Sequence, residues 1–373
     1  MTGYLFWISS ATAQTMTEVL EQVRREFAPD QRTVIFQIES SESGTLTGKT
    51  SSPEAKQALF DRLKKAGVPH QGQIRLLPDP VELGEQTHGV ITISVGNLRS
   101  APGHAAELAT QALLGTPVRV LETEGEWLRV QTPDRYIAWI DPGAVQRMNP
   151  ADFARWQGTR KLIFLTTYGF GYRQPDASGP TVSDLVAGDG LELFSERGDW
   201  YEAGYPDGRR AFVRKADAQP YDAWLRSMKA TETSLVQTAH RLTGLPYLWG
   251  GTSPKGVDCS GFTKTVYFLN GLVLPRDASQ QVHAGERIDT STGFENLRPG
   301  DLLFFGAKRE DGTERVTHVG MWIGGGEFIH ASSYVRVASV DPAKPNFDEF
   351  NRNRFLRAKR ILGTTMREVQ ALR

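Results

Sequence analysis

Cys259 is the chain's single cysteine, and it stands in Asp258-Cys259-Ser260-Gly261-Phe262, just after the turn Trp249-Gly250-Gly251. A thiol attacks carbonyl carbon only after losing its proton, so its seat decides what it can do. Asp258 reads as a helix N-cap, with Phe262, Val266 and Leu269 at helical spacing behind it and Asn270-Gly271 as the stop. Cys259 then falls in the first turn. There the unpaired N–H groups and the positive end of the helix dipole are expected to favour thiolate and to supply a donor for an oxyanion. His318 and His330 lie on two strand-like runs, 317–323 and 327–331, joined by Gly324-Gly325-Gly326. A three-residue loop at those glycines would pair Ile323 with Glu327 and Gly320 with His330, leaving the imidazoles as diagonal neighbours on one face. One ring could take the thiol proton while the other orients it. Two other readings stay open: a buried structural cysteine beside two packing histidines, or a three-ligand metal site of Cys259, His318 and His330. The histidine spacing matches no usual zinc signature.

Composition narrows what surrounds this set. Lys+Arg and Asp+Glu are both 43 in 373 residues, so the chain lacks the cationic field that nucleic-acid or anionic-membrane binding needs. At 39% hydrophobic residues it can build real cores, and Gly 37 with Pro 20 favours short strands and turns. No stretch reaches the roughly 18 apolar residues of a membrane span. A lone thiol excludes an internal disulfide and a Cys-rich zinc site.

At the N-terminus, Leu5-Phe6-Trp7-Ile8 precedes Ala11-Thr12-Ala13-Gln14, an Ala-x-Ala pattern without a positive n-region and with a short apolar run. A start codon placed too far downstream would leave such a truncated signal at residues 1–15, and an ordinary frayed terminus would look the same. A periplasmic or exported protein is the expectation, with a cytoplasmic one as the alternative.

Residues 16–82 read as helix, strand, strand, helix, strand. Leu20, Val23 and Phe27 keep helical spacing, Val34–Ile38 and Gly44–Gly48 are strands, and Ser51-Ser52-Pro53-Glu54 is a capping start. Leu59, Leu63 and Ala66 form the second helix's apolar stripe before Gly67. From Val90 the texture changes to strands at Ile91–Val95, Val118–Glu122, Trp127–Gln131 and Tyr136–Ile140, the spacing of a small barrel at 88–148. After a connector at Asn149–Gly158, a second unit at 158–218 has strands Leu162–Thr166, Gly190–Phe194, Trp200–Ala203 and Ala211–Val213. Gly125-Glu126-Trp127-Leu128-Arg129-Val130 and Gly198-Asp199-Trp200-Tyr201-Glu202-Ala203 repeat one phrase, an acidic turn, a buried Trp and an alternating strand. Residues 219–373 turn α+β, with helices at 221–243 and 259–269 and strands at 301–305, 317–323 and 327–331.

The set Tyr247-Leu248-Trp249-Gly250-Gly251, Asp258-Cys259-Ser260-Gly261, His318-Val319-Gly320 and His330-Ala331 resembles the NlpC/p60 family of cell-wall peptidases over about 150 residues. The N-terminal unit resembles the BON domain, and the two strand runs resemble bacterial SH3-like barrels, the first with the phrase Asn97-Leu98-Arg99. These resemblances imply a multidomain chain: a small BON-like α+β unit, two SH3-like β-barrels, and a C-terminal papain-like α+β NlpC/p60 domain. They also imply a Cys-His-His triad of Cys259, His318 and His330, with Tyr247 supporting the oxyanion.

The order of barrels and peptidase resembles γ-D-glutamyl-L-diamino acid endopeptidases, in which the barrel nearest the cleft admits only a free L-Ala terminus. The substrate-binding positions implied are Asp277, Tyr136, Trp249, Glu107, and Asp258 and Ser260 beside the cysteine. Ala278 stands where Ser is expected, so a hydrogen bond to substrate is lost or passes to Ser279. The physics agrees in outline, since a buried ammonium needs a carboxylate such as Asp277 and an acceptor such as the Tyr136 hydroxyl. Read alone, Asp277 is an Arg276 partner or a helix cap, and Tyr136 a barrel aromatic.

The expected function is a thiol peptidase that cuts the γ-D-glutamyl–diamino acid bond (meso-diaminopimelate or L-Lys) of murein peptides and releases L-Ala-γ-D-Glu. It would need no metal or organic cofactor and would work as a monomer, with the peptide as its partner. The rivals are a D,L-endopeptidase on intact peptidoglycan and a non-catalytic wall-binding scaffold.

Overall fold

The computed structural model describes residues 10–41, 43–364 and 369–372. Leu5–Ile8 lie outside the described residues, and Ala11–Gln14 fall within the first helix, Ser10–Phe27. Among the described residues no helix is long and apolar enough to cross a membrane.

The first unit runs helix Ser10–Phe27, strands Phe36–Ser40 and Thr45–Thr50, helix Pro53–Lys65 and strand Gln71–Leu76. The first two strands pair antiparallel and the second and third parallel. Ser52 starts the second helix by accepting the Ala55 N–H. The buried stripe of that helix is Ala55, Leu59 and Leu63. Ala66 is not part of it: it is the exposed C-cap, and Gly67 at φ +66° turns the chain away before another apolar position can face inward.

Two seven-stranded sheets follow. The first uses His88–Ile91, Val95–Arg99, Leu108–Leu113, Pro117–Glu124, Trp127–Gln131, Ile137–Ile140 and Val145–Met148. The second uses Lys161–Phe164, Tyr168–Tyr172, Thr181–Val186, Gly190–Arg197, Trp200–Gly204, Arg210–Arg214 and Ala218–Pro220. Counted within each unit, both sheets have the strand order seventh, first, fourth, fifth, sixth, second, third. The shared phrase marks the same hairpin in each, with Glu124 opposite Trp127 and Arg197 opposite Trp200. Gly125 and Gly198 take φ of +59° and +56° there, which is why each turn opens with glycine. The two tryptophans are half-buried rather than buried, because each begins its strand and leans on a surface ring, His104 or Tyr172.

Ile91–Val95 is not one strand. The chain breaks at Thr92–Ser94, where Arg209 donates to the Thr92 carbonyl and the Ser94 hydroxyl to Asp184, both in the second unit. Residues 150–158 of the connector are a helix capped by Asn149. The helix expected at 221–243 is two, Tyr221–Ser227 and Glu232–Arg241, because Thr231 and Ser234 form a reciprocal capping box that restarts the chain.

The last unit packs the helix Cys259–Phe268 on a six-stranded antiparallel sheet ordered Glu286–Ile288, Phe355–Arg360, Leu302–Lys308, Glu314–Gly324, Glu327–Ser332, Tyr334–Ser339. Phe262, Val266 and Tyr267 of the helix are fully buried with Val319, Met321, Ile329 and Ala331 of the sheet. The first residue of this helix and the strands carrying both histidines are therefore parts of one core.

Candidate active site

Asp258 caps the helix, its Oδ1 accepting the Gly261 N–H at 2.7 Å. Its Oδ2 accepts the Gly250 N–H at 3.0 Å, tying the glycine turn to the helix start. Glycine is required on both sides of that contact. A Cβ on Gly261 would stand 1.9 Å from the Gly251 oxygen, and Gly250 holds φ +78° against the first barrel's Leu108 carbonyl. Both Asp258 and Ser260 face inward onto Arg276. Arg276 is 1% exposed and donates to Asp258 through both terminal nitrogens (3.1 and 2.6 Å), to Ser260 Oγ (3.1 Å) and to Thr110 Oγ1 of the first barrel (3.1 Å).

The helix terminus does not make Cys259 a resting thiolate. Its thiol is pushed up to about 12, by burial first and the Asp258 charge next, against donation from the Val319 and Ser260 N–H groups and the Arg276 charge. A helix dipole contributes about 0.3–1 kcal/mol, under one pH unit, whereas full burial shifts a group by up to about 3–5 units. Burial wins. Cys259 is 8% exposed and in contact with the main core, but its sulfur still meets polar N–H groups. Tyr247 stands near enough for the Cys259 and Asp258 charges to act on it, and burial foremost raises its hydroxyl to about 12, so it stays protonated.

His318 Nε2 and His330 Nδ1 are 2.8 Å apart. The hairpin that sets them has a tighter loop than three glycines. Gly324 pairs with Glu327 across Gly325-Gly326, and Ile323 is a bulge instead of the partner of Glu327. The bulge absorbs the slip, and Gly320 still abuts His330, where an added Cβ would lie 3.3 Å from the His330 Cβ. Burial lowers His318 to about 4 and His330 to about 3, so both rings are neutral near pH 7. His330 is fully buried, and among the described residues its Nε2 makes no hydrogen bond; Asp348 Oδ2 lies 3.9 Å from it. Asp348 is the N-cap of the helix Glu349–Asn353, and its chain separation from His330 left it invisible in the sequence.

Asp277 heads the short helix Ala278–Gln281. Its Oδ2 accepts from Tyr136 of the first barrel at 3.3 Å and from Arg32 of the N-terminal unit at 2.7 Å. Arg276 is 3.9 Å from Oδ1, a distant second contact beside its paired hold on Asp258. Glu107 accepts from Trp249 Nε1 at 2.5 Å, and Trp249 is 63% exposed, so this bridge from barrel to turn lies at the surface. Ser279 Oγ accepts from Arg32 at 2.9 Å, so that hydroxyl is already engaged. Gln111 completes the junction, receiving the Thr252 N–H and the Ser253 hydroxyl on its side-chain oxygen. Among the described residues no cluster of three or more His, Cys, Asp or Glu is arranged for a metal ion.

Residues 244–354 match the NlpC/P60 family, and residues 98–145 the bacterial dipeptidyl-peptidase SH3 domain. Over 247 residues the chain is 32% identical to the gamma-D-glutamyl-L-lysine dipeptidyl-peptidase of Bacillus cereus, covering 64% of this chain and 72% of that one. The chain belongs to the NlpC/P60 family. It is a hydrolase of the cysteine-peptidase type. The Bacillus subtilis protein of the same description is 31% identical over 232 residues, 60% of this chain and 72% of that one. A solved NlpC/P60 family structure from Bacillus cereus superposes with a TM-score of 0.64 at 26% identity, over 74% of this chain and 99% of its own.

Within this NlpC/P60 peptidase three side chains at the site went unread in the sequence: Arg276 as the partner of Asp258, Arg32 and Asp348. Only Arg276 had a local signal, its place beside Asp277. Arg32 and Asp348 come from loops whose approach to the site depends on how whole units dock.

Proposed function

We propose that the enzyme hydrolyses the γ-D-glutamyl–diamino acid bond of murein peptides carrying a free N-terminal L-Ala, releasing L-Ala-γ-D-Glu. One observation carries the choice of a free amine. Around the site, Asp258 is paired with Arg276 and Asp30 with Arg32, while Asp277 receives contacts from both arginines and has no cation of its own. Three carboxylates against two guanidiniums leave one formal negative charge, which a substrate ammonium would neutralise.

Cys259, His318 and His330 carry the chemistry in this reading. With Nε2–H of His318 donating to His330 Nδ1, and Nε2–H of His330 toward Asp348, the free Nδ1 of His318 serves as base. Sγ attacks the γ-carbonyl carbon of D-Glu as its proton passes to His318, and the Tyr247 hydroxyl donates to the oxyanion. His318 returns the proton to the leaving amine of the diamino acid. Water, deprotonated by His318, then opens the thioester, L-Ala-γ-D-Glu is released, and His318 returns the proton to the leaving sulfur. Neutral thiol and neutral imidazole at rest mean that proton transfer accompanies attack. No cofactor enters any step. Trp249, Glu107, Asp258 and Ser260 shape the peptide's seat, Asp258 and Ser260 by fixing Arg276.

The second seven-stranded unit is read as an SH3-like barrel from its shared strand order, and the first unit as BON-like from its element order. An exported monomer acting on wall-derived peptide completes the proposal.

The test is mass spectrometry of products from L-Ala-γ-D-Glu-diamino acid with a free and an acetylated terminus. Cleavage of the free peptide between D-Glu and the diamino acid, with loss of cleavage after acetylation, is expected. Equal cleavage of both favours an endopeptidase on intact wall, and cleavage of neither favours a binding scaffold. Asp277→Asn is expected to cut kcat/KM on the free peptide by roughly 10–100-fold, less than a fully buried ion pair would cost, because Asp277 is partly exposed. Activity should hold across neutral pH and fall as pH drops through about 4, where His318 protonates. The Asp348 charge raises both histidines. Asp348→Asn should therefore move that acid limb to lower pH and reduce kcat about tenfold at constant KM. A merely structural role for Asp348 would lower Tm and leave the limb in place.

A further inference from the structure

Neither family match reaches residues 10–83, yet a turn of that unit lies at the site. Arg32 is held rigidly: Nε and Nη2 donate to the two oxygens of Asp30, each at 2.8 Å. Asp30 Oδ2 also accepts from Gln280 of the catalytic unit at 2.7 Å. The backbone of the turn is anchored separately on the first barrel, where the Arg32 carbonyl accepts the Ile137 N–H at 2.7 Å and the Thr33 carbonyl accepts from Gln131 at 3.0 Å. Apolar contact among Ile35, Leu77, Leu121 and Ile137 and a Lys49–Glu122 ion pair at 2.6 Å extend that dock. The remaining terminal nitrogen, Nη1, spans Asp277 Oδ2 and Ser279 Oγ.

We infer that Arg32 is a specificity-determining residue of the N-terminal unit, its guanidinium occupying Oδ2 of Asp277 and so disfavouring peptides extended beyond L-Ala. This rests on the reading that Asp277 receives the substrate ammonium. The two oxygens of Asp277 have different neighbours. Oδ1 is the one near Arg276, which leads through Asp258 to Cys259, whereas Oδ2 is taken by Tyr136 and Arg32. An ammonium arriving from the Cys259 side finds Oδ1. A peptide one residue longer must carry its chain past Oδ2, where the guanidinium held by Asp30 already occupies that oxygen and leaves the displaced ammonium no free acceptor. With Arg32 gone, Asp30 and Asp277 would instead present two carboxylates to that ammonium.

The experiment compares kcat/KM for L-Ala-γ-D-Glu-diamino acid and its N-glycyl derivative in the full-length enzyme, R32A and D30N. The anchoring contact of Arg32 to Ile137 is through its backbone carbonyl, so R32A keeps it. The wild type should strongly prefer the shorter peptide. In R32A the glycyl-to-parent ratio should rise about tenfold or more. D30N, which removes the carboxylate that fixes Arg32, weakens the Gln280 contact and keeps the backbone dock on the first barrel, should shift the ratio in the same direction by a smaller factor and decides the matter if R32A does not fold. A ratio unchanged within about twofold in folded R32A, or in D30N where R32A fails, overturns the role of Arg32 and leaves the free-amine reading standing. A wild type that cuts both peptides equally overturns the free-amine reading, and the inference falls with it.

Discussion

Cys259→Ala should reduce kcat/KM on the free-amine peptide by roughly 10⁴–10⁶-fold, the scale on which loss of a nucleophile is felt when binding and oxyanion donors remain. No other thiol in the chain can substitute. Product analysis by mass spectrometry reads the loss, and an unchanged Tm separates it from misfolding. Residual turnover near the wild-type level would end the thiol mechanism. The same sulfur offers a pH measurement. With the thiol raised to about 12 by burial and then by Asp258, alkylation of the free enzyme should be slow at neutral pH and accelerate steadily toward alkaline pH. A resting thiolate–imidazolium pair would instead give fast alkylation near pH 7.

Arg276→Met should cost about 3–5 kcal/mol of stability, because it leaves the buried Asp258 carboxylate without its cation. Methionine fills much of the volume, so the cost is mainly electrostatic. Adding Asp258→Asn removes the stranded charge, and the double variant should be less destabilised than Arg276→Met alone. Denaturant midpoints of the two single variants and the double variant check this. If the double variant is worse than both, the pair is not coupled as the geometry implies. Activity in Arg276→Met should fall as well, since Arg276 opposes the Asp258 charge at Cys259 and joins the helix start to the barrel through Thr110.

The local part of the site was legible because its spacing is short. Asp258 before Cys259, the glycine turn and the apolar stripe Phe262, Val266 and Leu269 specify a capped helix from neighbours a few residues apart. The two histidines were placed on adjoining strands by a hairpin whose loop was read one residue too long, and a bulge at Ile323 compensated. The same reading misjudged the thiol, since a helix start is visible in a sequence and the depth of its burial is not. Strand breaks at Thr92–Ser94 and the barrel tryptophans were misread for a related reason: contacts with the neighbouring unit or surface rings decide them.

The sequence by itself determined the local part: one thiol at a capped helix start, two histidines on one hairpin and the order of most elements around them, because those depend on residue type and short-range periodicity. The docking of three chain segments decided the rest. Tyr136, Arg32, Asp277 and Arg276 are drawn from positions as far as 245 residues apart, and only packed interfaces bring charges from such distances within 4 Å. Each charge depends on its partners once water is excluded, so the charge balance of the site belongs to the assembled tertiary structure.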